Sequence, residues 1–232
     1  MQLPKAKWLQ GAIVATVVVV VCVGAYTGYR YVDYKKALAL LTTDELQTIY
    51  SEALDRQEKL DKGLTFDSVI GAAFKWKILG DTTQHHYFYK KALAAYEVGV
   101  TNDDARSSIF FLNAGNILKS MERYEEADDQ YIQAIQLDTG NETNHIARIE
   151  LYMYWEGKTQ DDVLYVIDEA SKTVLANGYI NLLKGDYLSM VGRYEEALRV
   201  YEALLVVYGN TPSGPAIKIK VEDLRRKIQQ LK

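Results

Sequence analysis

Apolar residues recur at three- and four-residue steps along most of this chain, and the clearest run lies between Phe111 and Ile135. Phe111, Ala114, Leu118 and Met121 form one set. Tyr124, Ala127, Tyr131, Ala134 and Ile135 form a second, with polar Glu122-Arg123 between them. The spacing puts each set on one face of a 3.6-residue helix, so the stretch predicts two amphipathic helices joined by a short turn. Two such helices bury their stripes against each other as a hairpin. Downstream, Ile146, Ile149, Met153 and Tyr154 predict a helix, Gly157-Lys158 a turn, and Val163, Ile167, Ala170 and Val174 a second helix. Upstream, Ala73, Trp76, Leu79 and Gly80 mark a helix and its turn, and Tyr89, Ala92 and Tyr96 the helix that follows. A further helix is predicted from Asp44 to Lys62, with Thr42 and Glu45 as its capping box and Gly63 as its stop. After a break at Thr211–Pro215, Ile217, Val221, Leu224 and Ile228 predict a last helix.

One string occurs twice. Arg193-Tyr-Glu-Glu-Ala197 repeats Arg123-Tyr-Glu-Glu-Ala127 at an offset of 70 residues, two periods of 35. Gly185 precedes Ala197 by twelve residues, as Gly115 precedes Ala127. This pattern resembles the tetratricopeptide repeat (TPR) family. The residues that carry the resemblance are Gly115, Tyr124, Ala127, Tyr131 and Ala134 in one copy and Gly185, Tyr194, Ala197 and Tyr201 in the other. It implies an all-α, TPR-like helical-hairpin solenoid over residues 64–210, with copies at about 66–100, 107–140, 142–175 and 178–210. It also implies small residues where helices touch and aromatic residues in the gaps between hairpins. In the first copy His85 stands where a small residue is expected, and the third needs a one-residue slip to stay in phase. No copy ends in the family's common proline. Thr139-Gly140 and Gly209-Asn210 take over the stop, since Gly leaves a helix readily in a left-handed turn. Residues 30–63 then form a helical spacer or N-terminal cap, and 211–232 a C-terminal capping helix with one polar face.

In the TPR family the first helices of successive hairpins line a groove that binds peptides or partner helices. The resemblance therefore implies a groove containing Ile109, Leu112, Asn113, Asn116 and Lys119, then Arg148, Tyr152 and Trp155, then Tyr179, Leu182, Asp186 and Ser189. Asn113 and Asn116 occupy places where some members hydrogen-bond a bound peptide. Leu112 and Leu182 stand where a carboxylate clamp would have its cations, so an apolar segment is the expected guest.

Residues 1–10 are a short polar tail, and Gly11–Gly28 is uncharged and nearly all apolar. About 20 such residues cross a bilayer core as a helix. Trp8 at one end and Tyr26, Tyr29 and Tyr31 at the other suit the two membrane interfaces. The expectation is an N-terminal transmembrane helix over 11–29, with residues 8–29 meeting lipid. A signal peptide cleaved near Val23-Gly24-Ala25 is the alternative, disfavoured by the length of the run and by unbroken helical sequence through Tyr29–Leu41. Gly24 and Gly28 form a small-xxx-small pair that would let two such helices approach and form a homo-oligomer.

Composition narrows the function further. The net charge is −4, and beyond residue 36 the chain keeps 22 of its 27 basic and 30 of its 31 acidic residues. An acidic repeat region argues against nucleic acid as a partner. Cys22, the one cysteine, lies in the apolar run, so neither a disulfide framework nor a cysteine metal site is expected. No Gly-rich phosphate loop, nucleophile elbow or metal motif occurs. Adjacent His85 and His86 point about 100° apart on a helix and cannot share a metal as an i, i+4 pair does. The acid pairs Glu125-Glu126, Asp128-Asp129, Asp161-Asp162 and Glu195-Glu196 read as solvated faces. No catalytic, cofactor or metal residue is expected, and the chain is not expected to be an enzyme. In layout it is similar to single-pass bacterial inner-membrane TPR proteins associated with the protein-translocation channel. That similarity implies a membrane-anchored scaffold for protein partners, with the repeats outside the cytoplasm. A structural subunit of a pilus, flagellar or secretion machine, and a cytoplasm-facing import or docking receptor, are the alternatives.

Overall fold

The computed structural model describes residues 28, 30–102, 107–175 and 177–231; apart from Gly28, the expected span at 11–29 lies outside them. Among the described residues the regular structure is helical, with no strand. None of these helices is long and apolar enough to cross a membrane. Residues 30–39 form α1. The others are α2 (Asp44–Lys62), α3 (Phe66–Thr83), α4 (His86–Val100), α5 (Ser108–Ser120), α6 (Tyr124–Leu137), α7 (Glu142–Tyr154), α8 (Gln160–Thr173), α9 (Gly178–Met190), α10 (Tyr194–Tyr208) and α11 (Gly214–Gln230). They divide into two compact units between Ala95 and Tyr96, inside α4.

In the first unit α2 packs along α3. Ala53 and Leu60 are buried on α2, and Val69, Ala72, Ala73, Trp76 and Leu79 on α3. The buried Trp76 keeps its one donor satisfied, since Nε1 donates to Gln57 Oε1 at 3.1 Å. The cap of α2 is Thr43 rather than Thr42: Thr43 has the extended backbone next to Asp44, and its Oγ1 accepts from the Leu46 N–H at 3.2 Å. Gly80 does not turn the chain. α3 continues to Thr83, and Gln84 takes the left-handed conformation instead. Gly80 is small because a Cβ there would come within 2.6 Å of the Tyr89 ring. His85 lies in the same turn, where its Nδ1 accepts from the Tyr87 N–H at 3.2 Å.

The second unit is a helical repeat. α5–α6, α7–α8 and α9–α10 are hairpins, α5, α7 and α9 neighbour one another in that order, and α11 packs on α10. Glu122, Gly157 and Gly192 sit in the turns inside the hairpins with φ of 60, 91 and 81°, and both 157 − 122 and 192 − 157 are 35. A tight reversal between two helices needs one left-handed residue. Neither Gly140 nor Gly209 is left-handed, contrary to the expectation for those stops. The slip in the third copy has a location: its turn holds five residues, 155–159, against three at 121–123 and 191–193.

The repeated string has a local cause. Arg123 and Arg193 precede α6 and α10, and each grips the third residue of its helix, with Nε to Glu126 Oε1 at 2.7 Å and to Glu196 Oε1 at 2.6 Å. These bonds hold both exposed carboxyls below their ordinary range. In α8 the same two positions are Thr159 and Asp162, which form a capping box. The cores use the expected stripes, with Phe111, Ala114, Leu118, Met121, Ala127, Tyr131 and Ala134 all buried. Tyr154 departs from its stripe. It is the last residue of α7 and is 77% exposed.

Candidate functional site

The eighth residues of paired helices face each other in the first and last hairpins of the second unit. In α5–α6 they are Gly115 and Tyr131, and in α9–α10 Gly185 and Tyr201. A Cβ on Gly115 would lie 2.5 Å from the Tyr131 ring, and one on Gly185 2.7 Å from that of Tyr201. The tyrosines therefore fill space within a hairpin, where the family resemblance had placed aromatics between hairpins. Their hydroxyls settle on the ninth residue of the first helix: Tyr131 donates to Asn116 Oδ1 at 2.8 Å, and Tyr201 to Asp186 Oδ1. Burial pushes both phenols well above their ordinary pKa, and at Tyr201 the Asp186 carboxylate adds to the rise. Burial likewise pushes Tyr96 up to about 12, and a hydrogen bond with Asn113 opposes that shift.

Arg148, Tyr152 and Trp155 meet α6. Arg148 Nε donates to Asp128 Oδ1 at 2.7 Å, and the Tyr152 hydroxyl donates to Asp128 Oδ2 at 2.9 Å. Asp128 thus leaves the solvated face assigned to it, because its side chain is only 14% exposed in the ion pair. Burial pulls the Arg148 pKa down, but the Asp128 bond and charge together with Tyr152 more than offset this and leave it raised. Lys184, the seventh residue of α9 as Arg148 is of α7, reaches back to Asp168 of α8 at 2.6 Å. α7 and α9 are therefore each tied by a cation to the second helix of the preceding hairpin. Trp155 packs its ring against Tyr124 of α6 and edge-on against Tyr152.

The residues on α9 line a seam with α10 and α11. A groove of about 390 Å³ is walled by Tyr179, Leu182, Leu204, Tyr208, Ala216 and Ile217, with Glu142 and Lys220 also in its lining. Lys220 pairs with Asp186, and its ammonium lies 5.5 Å from the centre of the Tyr201 ring. Ser189 and Asp186 continue along the same seam toward Asp223 and Lys227 of α11. Glu142 Oε1 is buried with no hydrogen-bond partner. On α5, Ile109 is exposed, Leu112 and Asn113 are half-buried, and Lys119 approaches Glu150 of α7 at 3.7 Å. The twelve residues picked from sequence thus fall in three settings: along α5, in the cluster between α6 and α7, and in the seam under α11. Sequence reasoning did not reach Glu142, Leu204, Tyr208, Ile217 or Lys220. Of these only Ile217 carried a signal, as part of the apolar stripe of the last helix, which read as a cap.

Gly24 lies outside the described residues, and Gly28 has no neighbouring atom within 4 Å of an added Cβ. Among the described residues no three His, Cys, Asp or Glu side chains cluster as metal ligands do. No family model matches the chain, and no curated protein matches it. A solved structure of MamA AMB-1 is similar at 14% identity and a TM-score of 0.43, covering 68% of this chain and 82% of that one. The hairpins themselves carry the assignment: over its described residues the chain is an all-α protein whose second unit is a helical repeat.

Proposed function

We propose that this chain is a non-enzymatic scaffold that holds an apolar segment of a protein partner in the seam between α9, α10 and α11. The supporting observation is the groove itself. Its walls are tyrosine, leucine and isoleucine side chains, and the Glu142 carboxylate in its lining has one buried, unpartnered oxygen. An unpaired buried carboxylate oxygen is costly, so the partner segment that suits this groove carries a basic side chain among apolar ones. Membrane attachment through residues 11–29 completes the reading and rests on the sequence: an uncharged apolar run with aromatic residues at both ends. With such an anchor the repeats serve a complex at the membrane, and a role in protein translocation, chaperoning or assembly outside the cytoplasm is the form we favour.

A photo-crosslinking residue at Tyr179, in the full chain in its native membrane, tests the groove. The expected result is a discrete adduct that both Glu142→Gln and the groove-filling Ala216→Trp diminish. No adduct, or one indifferent to both changes, refutes the groove. A single cysteine at Ser213, with Cys22→Ser, tests the side of the membrane. Labelling of intact cells or spheroplasts by an impermeant maleimide supports the repeats lying outside the cytoplasm, and labelling only after lysis reverses that orientation.

A further inference from the structure

The middle hairpin turns through five residues where its neighbours use three. Gly157 supplies the left-handed residue, so the reversal itself requires neither Trp155 nor Lys158. Those two residues make something else. Trp155 sits with its ring centre 5.8 Å from that of Tyr152, at 76°, and 5.9 Å from that of Tyr124, at 43°. The Lys158 ammonium lies 3.9 Å from the centre of the Trp155 ring and 4.6 Å from that of Tyr152. Tyr152 is fixed in place, with its hydroxyl on Asp128 and the Arg148 guanidinium 5.3 Å from its ring. The ring faces are therefore organised by α6 and α7 around one cation position.

The present occupant is a poor chemical match for that position. An ammonium carries three N–H donors, yet among the described residues the Lys158 ammonium has neither an ion pair nor a hydrogen bond. The acid that most plainly feels its charge, Asp162, has its carboxylate bound to Thr159 at the start of α8. A site that offers ring faces to its cation suits one that has no N–H to satisfy and gives up little hydration. We propose that Tyr152 and Trp155, backed by Tyr124, bind a methylated quaternary ammonium group, and that Lys158 is its intramolecular stand-in, displaced when the ligand enters. The site lies apart from the α9–α11 groove and does not depend on that groove being occupied.

Tetramethylammonium chloride titrated into the full chain, with potassium chloride at equal ionic strength as reference, tests this. Binding is read by tryptophan fluorescence and by broadening of the ligand's methyl proton signal. The expected result is saturable binding that Lys158→Ala tightens about fivefold, since a competing cation–π contact is removed, and that Trp155→Leu abolishes. The gain in Lys158→Ala cannot arise from unfolding, and thermal melts check the fold of Trp155→Leu. No saturable binding to Lys158→Ala, binding no tighter than in the parent chain, or binding undiminished in Trp155→Leu overturns the proposal. Comparing trimethyllysine with phosphorylcholine then separates a modified protein side chain from a lipid headgroup as the source, and tighter binding of either one supports the site.

Discussion

The outer and middle hairpins of the second unit fill corresponding buried positions with different residues. In α5–α6 and α9–α10 a glycine faces a tyrosine, Gly115 with Tyr131 and Gly185 with Tyr201. In α7–α8 the corresponding eighth residues are Ile149 and Ile167, both fully buried in one apolar cluster. One solution puts nearly all the volume on one helix, and the other divides it evenly. The outer solution also gives the hairpin a polar stitch, from the phenol to Asn116 or Asp186. The middle one gives that up: its ninth residue is Glu150, which Lys119 of α5 approaches. The helix starts show the same exchange, with Arg and Glu in the outer hairpins and Thr and Asp in the middle one. What the repeat preserves is a buried filling between paired helices and a side-chain link from the residue before each second helix to that helix's third residue, and residue identity is free to vary within those limits.

The strongest test removes volume from the middle hairpin. Ile167→Ala leaves a cavity in a fully buried site and is expected to cost about 2–5 kcal/mol, measured by the urea midpoint. Adding volume to an outer hairpin comes next. Gly115→Ala drives a Cβ into the Tyr131 ring and is expected to cost about 1–3 kcal/mol. The comparison is sharpest in the double change Gly115→Ile with Tyr131→Ile, which installs the middle solution in the first hairpin. Its cost should fall clearly below the sum of the two single changes, and strict additivity would show that the two solutions are not interchangeable.

This exchange explains what the sequence could and could not reveal. The outer hairpins are legible because Gly, Tyr, Arg and Glu recur as letters, and the periodicity of the apolar positions holds throughout. The middle hairpin keeps only the periodicity: Ile149 and Ile167 are right for its packing yet invisible to a search for Gly and Tyr. The candidate site was less legible, because half-buried polar residues look alike in one dimension. Asn116 and Asp186 read as groove residues, but each accepts the hydroxyl of a tyrosine fifteen residues away. Asp128 read as solvated, but its partner Arg148 lies on the next hairpin. Pairings of this kind depend on how helices are rotated against each other, which spacing alone does not fix.

Alkaline titration offers a third test. Burial raises the pKa of Tyr131 and Tyr201 in the folded chain, while in the unfolded chain they lose their protons near pH 10. The folded state then holds more protons, so their contribution is intact below about pH 10 and is lost as pH rises toward the folded values. Each contributes a slope that approaches about −1.4 kcal/mol per pH unit as its unfolded form becomes fully ionised. Tyr131→Phe or Tyr201→Phe should each flatten the decline by one group between pH 10 and 11. Ile167→Phe in the middle hairpin should leave the slope unchanged, because that position has no hydroxyl to titrate.

The smallest effect concerns the two cations that tie neighbouring hairpins. Arg148–Asp128 is mostly shielded, with side chains 20% and 14% exposed, and a tyrosine hydroxyl completes it. Lys184–Asp168 occupies the equivalent helix position but is 27% and 48% exposed, with a single point charge in place of a guanidinium fork. A half-solvated lysine pair contributes about 0.2–1 kcal/mol and is screened by salt. Lys184→Met should therefore lower the urea midpoint slightly in low salt and hardly at all in 1 M sodium chloride. Arg148→Met strands a carboxylate with little access to water, so its larger loss should persist at high salt. Equal salt sensitivity in the two variants would show that burial does not distinguish the ties.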